Sequence, residues 1–248
     1  MSLFKIRNKN GEMQDIVVLR GKNTGYEEGY ANGYETGKEE VLSDPQTLID
    51  LRATTFLSGD IATNVTEIVK YSFNSTAITG ISAPNVARIG ERAFQDCSSM
   101  TEADFSKVTS IGTYCFNGCA KLTTINIPLL NTVPTATFYN NASLKRLDLH
   151  QATTINTSAL TLCASLRQLI IRTGKVCTLS NPNAITGSGI ASSKCLIFVP
   201  SSLVESYKTA TNWSTHATLF RVVEDITVDG TTMGELDEAK IEAAMATL

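Results

Sequence analysis

A spacing of twenty-two residues governs the middle of this chain: Ile89, Ile111, Val133 and Ile155 keep it, and so do Phe94, Phe116, Phe138 and Leu160. Met100, Leu122, Leu144 and Leu166 follow the same step. Ala103, Ile125, Leu147 and Leu169, then Phe105, Ile127, Leu149 and Ile171, complete five columns in one register. An earlier copy over residues 65–84 fits with one residue deleted between Phe73 and Ile78. A fixed period in the low twenties means stacked coils. Each unit is one small element that cannot bury its apolar face alone, and its neighbours bury that face for it.

Each unit has two parts. Leu122 to Pro128 reads L-x-x-I-x-I, and its alternation predicts a short strand with every second side chain inward. A segment of the form V-x-x-I-G-x-x-A/C-F-x-x-C then turns the chain through a compact second side, its Phe, Ala and Cys pointing into the stack. The register predicts one parallel sheet with strands near 81–83, 103–105, 125–127, 147–149 and 169–171. The coil from Val133 to Leu149 departs from the pattern, with Pro134 in place of Gly and Asn141 in place of Cys. It should keep its coil but pack differently at the turn.

The stretches IGERAFQDCSSMTEADF and IGTYCFNGCAKLTTINIP resemble the BspA-like, or treponemal-type, leucine-rich repeats, over about Val65 to Ile171. The resemblance implies an α/β-type repeat solenoid with a parallel sheet on one face, a C-terminal cap and, here, an N-terminal helical arm. It also implies how the repeats end: a last strand from Cys195 to Val199 stopped by Pro200, a helix from about Ser201 to Ala210 carrying Tyr207, and Trp213 with Phe220 closing the final coil. A cap is physically required, because a bare end would leave apolar surface in water. The chain therefore divides into an arm over 1–45, a solenoid over 46–225 whose cap spans about 195–225, and a tail over 226–248. In the tail, GELDEAKIEAAMATL reads as a short helix, exposed or packed on a neighbour.

Cys97, Cys119 and Cys163 share one column, and the pattern makes them buried thiols, since free Cys packs as a small hydrophobe. Cys115 stands at the Ala position and belongs to the core as well. No C-x-x-C pair occurs and the only histidines are His150 and His216, so no metal site is expected. A disulfide between neighbouring coils fits the spacing of strands but ranks below reduced thiols.

The remaining features exclude more than they assign. The net charge of −3 and the lack of a Lys/Arg cluster argue against nucleic acid. No apolar run reaches the roughly 18 residues needed to span a bilayer, and the N-terminal residues show no apolar signal region. Catalysis and cofactors have no motif: TGSGIAS has the wrong spacing for a nucleophile elbow, and no phosphate-binding glycine loop follows a strand. Asp104 and Asp148 lie two coils, roughly 10 Å, apart by strand spacing, which mimics an inverting glycosidase pair, but a solvated face is the simpler reading.

What is left is surface. The outward residues of the strands form three columns: Glu102, Thr124, Arg146 and Gln168; Asp104, Asn126, Asp148 and Ile170; Ser106, Pro128, His150 and Arg172. From these, Glu102, Asp104, Thr124, Asn126, Arg146, Asp148, His150, Gln168 and Arg172 are the candidate ligand-binding face, for a protein or glycan on a cell surface. An ordinary solvated sheet face is the competing reading. The arm carries a second pattern. Gly25, Gly29, Gly33 and Gly37 recur every fourth residue, beside Tyr26, Tyr30 and Tyr34. On a helix these form neighbouring stripes, and a helix so rich in Gly folds only against a partner, which predicts a homo-oligomer or larger assembly. A flexible linker is the alternative. Before the stripes, FKIRNKNGEMQDIVVLRG reads as a strand pair around Asn10–Gly11. The arm resembles segments of phage and prophage tail-associated proteins of gut Firmicutes. That resemblance implies a virion attachment protein; the alternative is a bacterial cell-surface adhesin of the BspA-like kind.

Overall fold

The computed structural model describes residues 2–8, 13–18, 56–57, 65–228 and 236–248. Along one face, Phe56–Leu57, Gly80–Ser82, Glu102–Asp104 and Thr124–Asn126 form a four-stranded parallel sheet. Arg146–Leu149, Gln168–Ile171, Leu196–Val199 and Phe220–Val222 form another. The twenty-two-residue step sets their register, with Ala103 opposite Ile125 and Leu147 opposite Leu169. The strands from Gly80 to Gln168 begin one residue earlier than the repeat pattern predicts, at the exposed or half-buried residue that precedes the first inward side chain in most of them.

The single sheet expected from the sequence is corrected in two ways. The face is divided between Thr124–Asn126 and Arg146–Leu149, which no strand pairing joins. The second side of each coil also carries its own narrow parallel ladder. Val65–Ile68, Arg88–Ile89 and Ser110–Ile111 form one part, and Thr132–Val133, Thr154–Ile155 and Thr178–Leu179 the other. Both divisions fall at the coil with the altered motif, and Pro134 gives the reason for the narrow ladder. At the equivalent positions the N–H of Gly90 donates to the Ile68 carbonyl at 2.7 Å, that of Gly112 to Ile89 at 2.8 Å and that of Asn156 to Val133 at 3.0 Å. Proline has no N–H to donate. The two glycines also admit close backbone approach: a Cβ on Gly90 would lie 2.3 Å from the Lys70 nitrogen, and one on Gly112 2.2 Å from the Glu91 nitrogen. A pyrrolidine ring cannot enter such a space, so its coil stands off.

A third ladder ties the turn side. The N–H groups of Arg92, Phe94 and Asp96 donate forward to the carbonyls of Thr113, Cys115 and Asn117 in the next coil, and Tyr114, Phe116 and Gly118 repeat this toward Thr135, Thr137 and Tyr139. Alternate donors have left-handed backbone, among them Arg92 (φ 53°), Asp96 (57°), Tyr114 (58°) and Gly118 (76°). Inside these turns Phe73, Phe94, Phe116 and Phe138 stack nearly parallel, with centroids 5.0, 5.2 and 5.8 Å apart. The widest gap again falls at the Pro134 coil. The five apolar columns make one continuous core, with Phe94, Phe116 and Phe138 fully buried.

The thiol column behaves as the pattern predicts. All six cysteines are free and buried. Cys97, Cys119 and Cys163 each donate to the carbonyl of the preceding coil's phenylalanine, at 2.9 Å to Phe73, 3.1 Å to Phe94 and 3.1 Å to Phe138. Asn141 sits in this column, fully buried, and neither its amide oxygen nor its amide nitrogen has a hydrogen-bond partner.

Each end carries an element outside the repeat. Ser2–Asn8 and Met13–Val18 form the expected antiparallel pair, and the first of these also pairs antiparallel with Val65–Ile68, joining the narrow ladder at its edge. At the other end, helix α1 (Val204–Thr209) brings Tyr207 over the last coil beside Trp213 and Phe220. The Cys177 N–H donates to the Tyr207 hydroxyl at 2.8 Å, and the Trp213 indole N–H donates to the Cys177 carbonyl at 2.7 Å. The cap thus covers apolar area while satisfying both backbone polar groups of the buried Cys177. Gly25, Tyr26, Gly29, Tyr30, Gly33, Tyr34 and Gly37 lie outside the described residues.

Candidate functional site

The outward face of the strands falls into two unlike halves. In the first, Gly80–Ser82, Glu102–Asp104 and Thr124–Asn126 leave a shallow trough of about 310 Å³. Ile81, Ala103 and Ile125 make its floor, and Ser82, Glu102, Asp104, Thr124 and Asn126 supply its polar groups. Alternation in the strands places these groups outward, with Glu102, Thr124 and Asn126 exposed and Asp104 half-buried. The Asn126 side-chain amide donates to Asp104 Oδ1 at 2.7 Å. That bond fixes the amide across two coils. The trough's polar side chains are carboxylates, hydroxyls and one amide, with no cation among them.

The second half is covered. Helix α2 (Glu238–Met245) lies against it, its Asp237 N-cap accepting from the Lys240 N–H. Ile241 is fully buried in a small cluster with Ile170, Leu196, Phe198, Val223 and Ile226, separate from the main core. Two expectations are corrected here. Ile170, expected to face outward into solvent, is buried beneath this helix. Arg172, expected on the open face, is only 3% exposed. Its Nε and Nη2 donate to the two Asp148 oxygens at 3.3 Å each. The cause for Ile170 is the tail, which turns an apolar strip of the face into a second core, whereas Arg172 is held inward by its pair with Asp148.

The other expected face residues on this half form one charged network. Asp148 also contacts His150 Nε2 at 3.2 Å and Arg146 at 3.9 Å, and Arg146 is paired with Glu238 of α2. Burial alone would raise the Asp148 pKa, but the His150 and Arg172 bonds prevail and hold its carboxyl below the usual carboxylate range. Its charge is committed to its neighbours, so Asp148 is a poor general acid partner for Asp104. Gln168 is half-buried at the margin of the network. The nine expected face residues therefore do not form one site: Glu102, Asp104, Thr124 and Asn126 share the trough, whereas Arg146, Asp148, His150 and Arg172 hold one another and the tail. The sequence carried a signal for this. Leu196 to Val199 is four consecutive apolar residues, the mark of a strand buried on both faces rather than one.

Among the described residues no three His, Cys, Asp or Glu side chains converge as metal ligands would. No helix among them is long and apolar enough to cross a membrane.

Coils of twenty-two residues with a strand face, a compact turn side and an aromatic cap define a leucine-rich-repeat solenoid. The chain belongs to the BspA type leucine-rich repeat family, whose pattern matches residues 61–184 in six copies. No curated protein sequence matches it. Solved structures of similar shape include a leucine-rich cell surface protein from Faecalibacterium prausnitzii, 20% identical over 60% of this chain and 42% of that one, with a TM-score of 0.42. A leucine-rich repeat protein from T. pallidum is 20% identical over 58% of this chain and 66% of that one, with a TM-score of 0.43. Another from Eubacterium ventriosum is 21% identical over 56% of this chain and 44% of that one, also at 0.43. The chain thus spans between 42% and 66% of the length of these proteins.

Proposed function

We propose that the chain is a non-catalytic recognition module, a bacterial cell-surface adhesin that engages a protein or glycan through the trough formed by its first strands. The observation that carries this reading is the contrast between the two halves of the strand face: the tail covers one, and the trough around Glu102, Asp104, Thr124 and Asn126 is the part it leaves uncovered. Solenoids bind through extended faces of this kind. The acceptor-rich lining suits a hydroxyl-bearing glycan or a protein surface presenting Lys and Arg. Family membership supports an adhesive role over an enzymatic one.

A virion attachment protein would use the same trough. That reading draws on the arm motif from Gly25 to Gly37, and genes for portal, capsid and tail proteins beside this one would favour it over the adhesin. Assembly through the arm is likewise our proposal, and light scattering of the full chain tests it, a strict monomer counting against.

Glycan and cell-binding arrays test the trough. The full chain should bind, and Glu102→Ala with Asp104→Ala and Asn126→Ala should lose at least tenfold in affinity with an unchanged melting temperature. Binding that survives all three substitutions would move the site elsewhere.

A further inference from the structure

We propose that the outer face of the last strands is a helix-docking socket whose external occupant is the C-terminal segment of a second copy of this chain. The socket is built from Ile170, Leu196, Phe198, Val223 and Ile226, and Ile241 of α2 fills it. This cluster is separate from the main core, so the solenoid does not need the tail to bury its own repeat columns.

The helix depends on the socket rather than the reverse. An eight-residue helix is far too short to persist alone in water. Polar contacts at the rim fix its direction: Glu238 pairs with Arg146, the Asp237 N–H donates to the Ile226 carbonyl at 2.6 Å, and Arg221 Nη2 donates to Thr247 Oγ1 at 3.3 Å. An acidic first turn meets a basic rim, and one isoleucine meets an apolar floor. The segment shown to satisfy all of these together is residues 236–248 of this chain, and a second copy carries the same segment. A tethered segment competes at an effective concentration on the order of millimolar. Exchange between copies therefore becomes appreciable where chains are crowded to a similar concentration, and each exchanged tail links two chains without any new contact chemistry. This socket lies on the opposite half of the face from the trough, so the two proposals stand or fall separately.

A fluorescent peptide of residues 236–248 tests the socket on the full chain. In the full-chain variant Ile241→Asp the native tail is undocked, and the peptide should bind it at least tenfold more tightly than it binds the unaltered chain, whose socket is filled. The same peptide carrying Ile241→Asp should not bind. Should the Ile241→Asp chain fail to fold, Glu238→Arg, which sets like charges against each other at the exposed rim, provides the opened form. No peptide binding to an opened chain with an intact melting transition overturns the socket, as does binding indifferent to Ile241 in the peptide. Light scattering of the unaltered chain at millimolar concentration then tests the occupant. A dimer population abolished by Ile241→Asp is expected; a chain that stays monomeric under those conditions, or whose association Ile241→Asp leaves unchanged, as association through the arm would be, refutes exchange with a second copy.

Discussion

Replacing Asn141 by Cys should stabilise this protein, although it alters a fully buried residue. Asn141 occupies the thiol column, where Cys119 and Cys163 donate to the carbonyls of Phe94 and Phe138 at 3.1 Å. The equivalent acceptor for position 141 is the Phe116 carbonyl, twenty-five residues earlier, the same separation as in those two bonds. The asparagine makes no such bond, and both of its amide atoms are buried without a partner. A buried polar group left unsatisfied costs about 1–3 kcal/mol. Cysteine is close to asparagine in size, behaves as a small hydrophobe and brings a weak S–H donor. Asn141→Cys should therefore gain about 1–3 kcal/mol, or roughly 2–4 °C in melting temperature for each kcal/mol in a chain of this length.

The assay is urea unfolding followed by circular dichroism, with a reductant present so that the new thiol cannot pair with Cys119 or Cys163. Asn141→Ala separates the contributions: it removes the orphan amide but leaves a gap, so it should fall below the cysteine variant. Repeat proteins can lose cooperativity, so the two variants must be compared at matching slopes. A cysteine variant that is neutral or less stable would refute the reasoning, because it would mean that the amide is in fact partnered.

Three further outcomes follow from the same structure. Phe116 is fully buried between Phe94 and Phe138, at 5.2 and 5.8 Å, so Phe116→Ala should cost about 3–5 kcal/mol in the same assay, and a loss under 1 kcal/mol would contradict the core assignment. Leu162 is 40% exposed with φ at 61°, in the column where Asn140 and Gly118 stand one and two coils earlier; Leu162→Asn should gain about 1 kcal/mol by relieving left-handed strain, as read from the urea midpoint. Burial pushes the Cys163 and Cys177 thiols up from 9.0 to about 12. Between those values the unfolded chain has released protons that the folded chain retains, so stability should fall as pH rises above 9. Each thiol can contribute up to about 1.4 kcal/mol per pH unit. Melting measured from pH 8 to 11 checks the sign, and Cys163→Ala should flatten the slope.

The repeat was legible because one period fixed register, burial and stacking at once. Phe94, Cys97, Ile111 and Leu147 needed only their column to be placed; the need to end a stack required a cap, and the family resemblance placed it at Tyr207, Trp213 and Phe220. Departures from the motif were legible as positions but not as consequences. Pro134 marked the odd coil, yet the division of the narrow ladder depends on a missing N–H and on how closely Gly90 and Gly112 let backbones approach, which spacing alone does not show. The narrow second ladder was hidden for a related reason: two-residue strands such as Ser110–Ile111 are too short for alternation to register.

The face was harder because its residues answer to something outside the repeat. Column arithmetic treats Asp104, Asn126, Asp148 and Ile170 as equivalents, since each follows the last by twenty-two residues. Their environments differ because the tail covers only the last coils. Where α2 lies, Asp148 pairs with Arg172 and His150, and Ile170 becomes core. Away from the tail, Asp104 and Asn126 bond to each other and remain accessible in the trough. A repeat makes every coil the same kind of surface, and it takes a segment that does not repeat to make one part of that surface different. Here that segment is residues 236–248. By covering the apolar strip of the last coils, it leaves Glu102, Asp104, Thr124 and Asn126 on the part of the face that it does not reach.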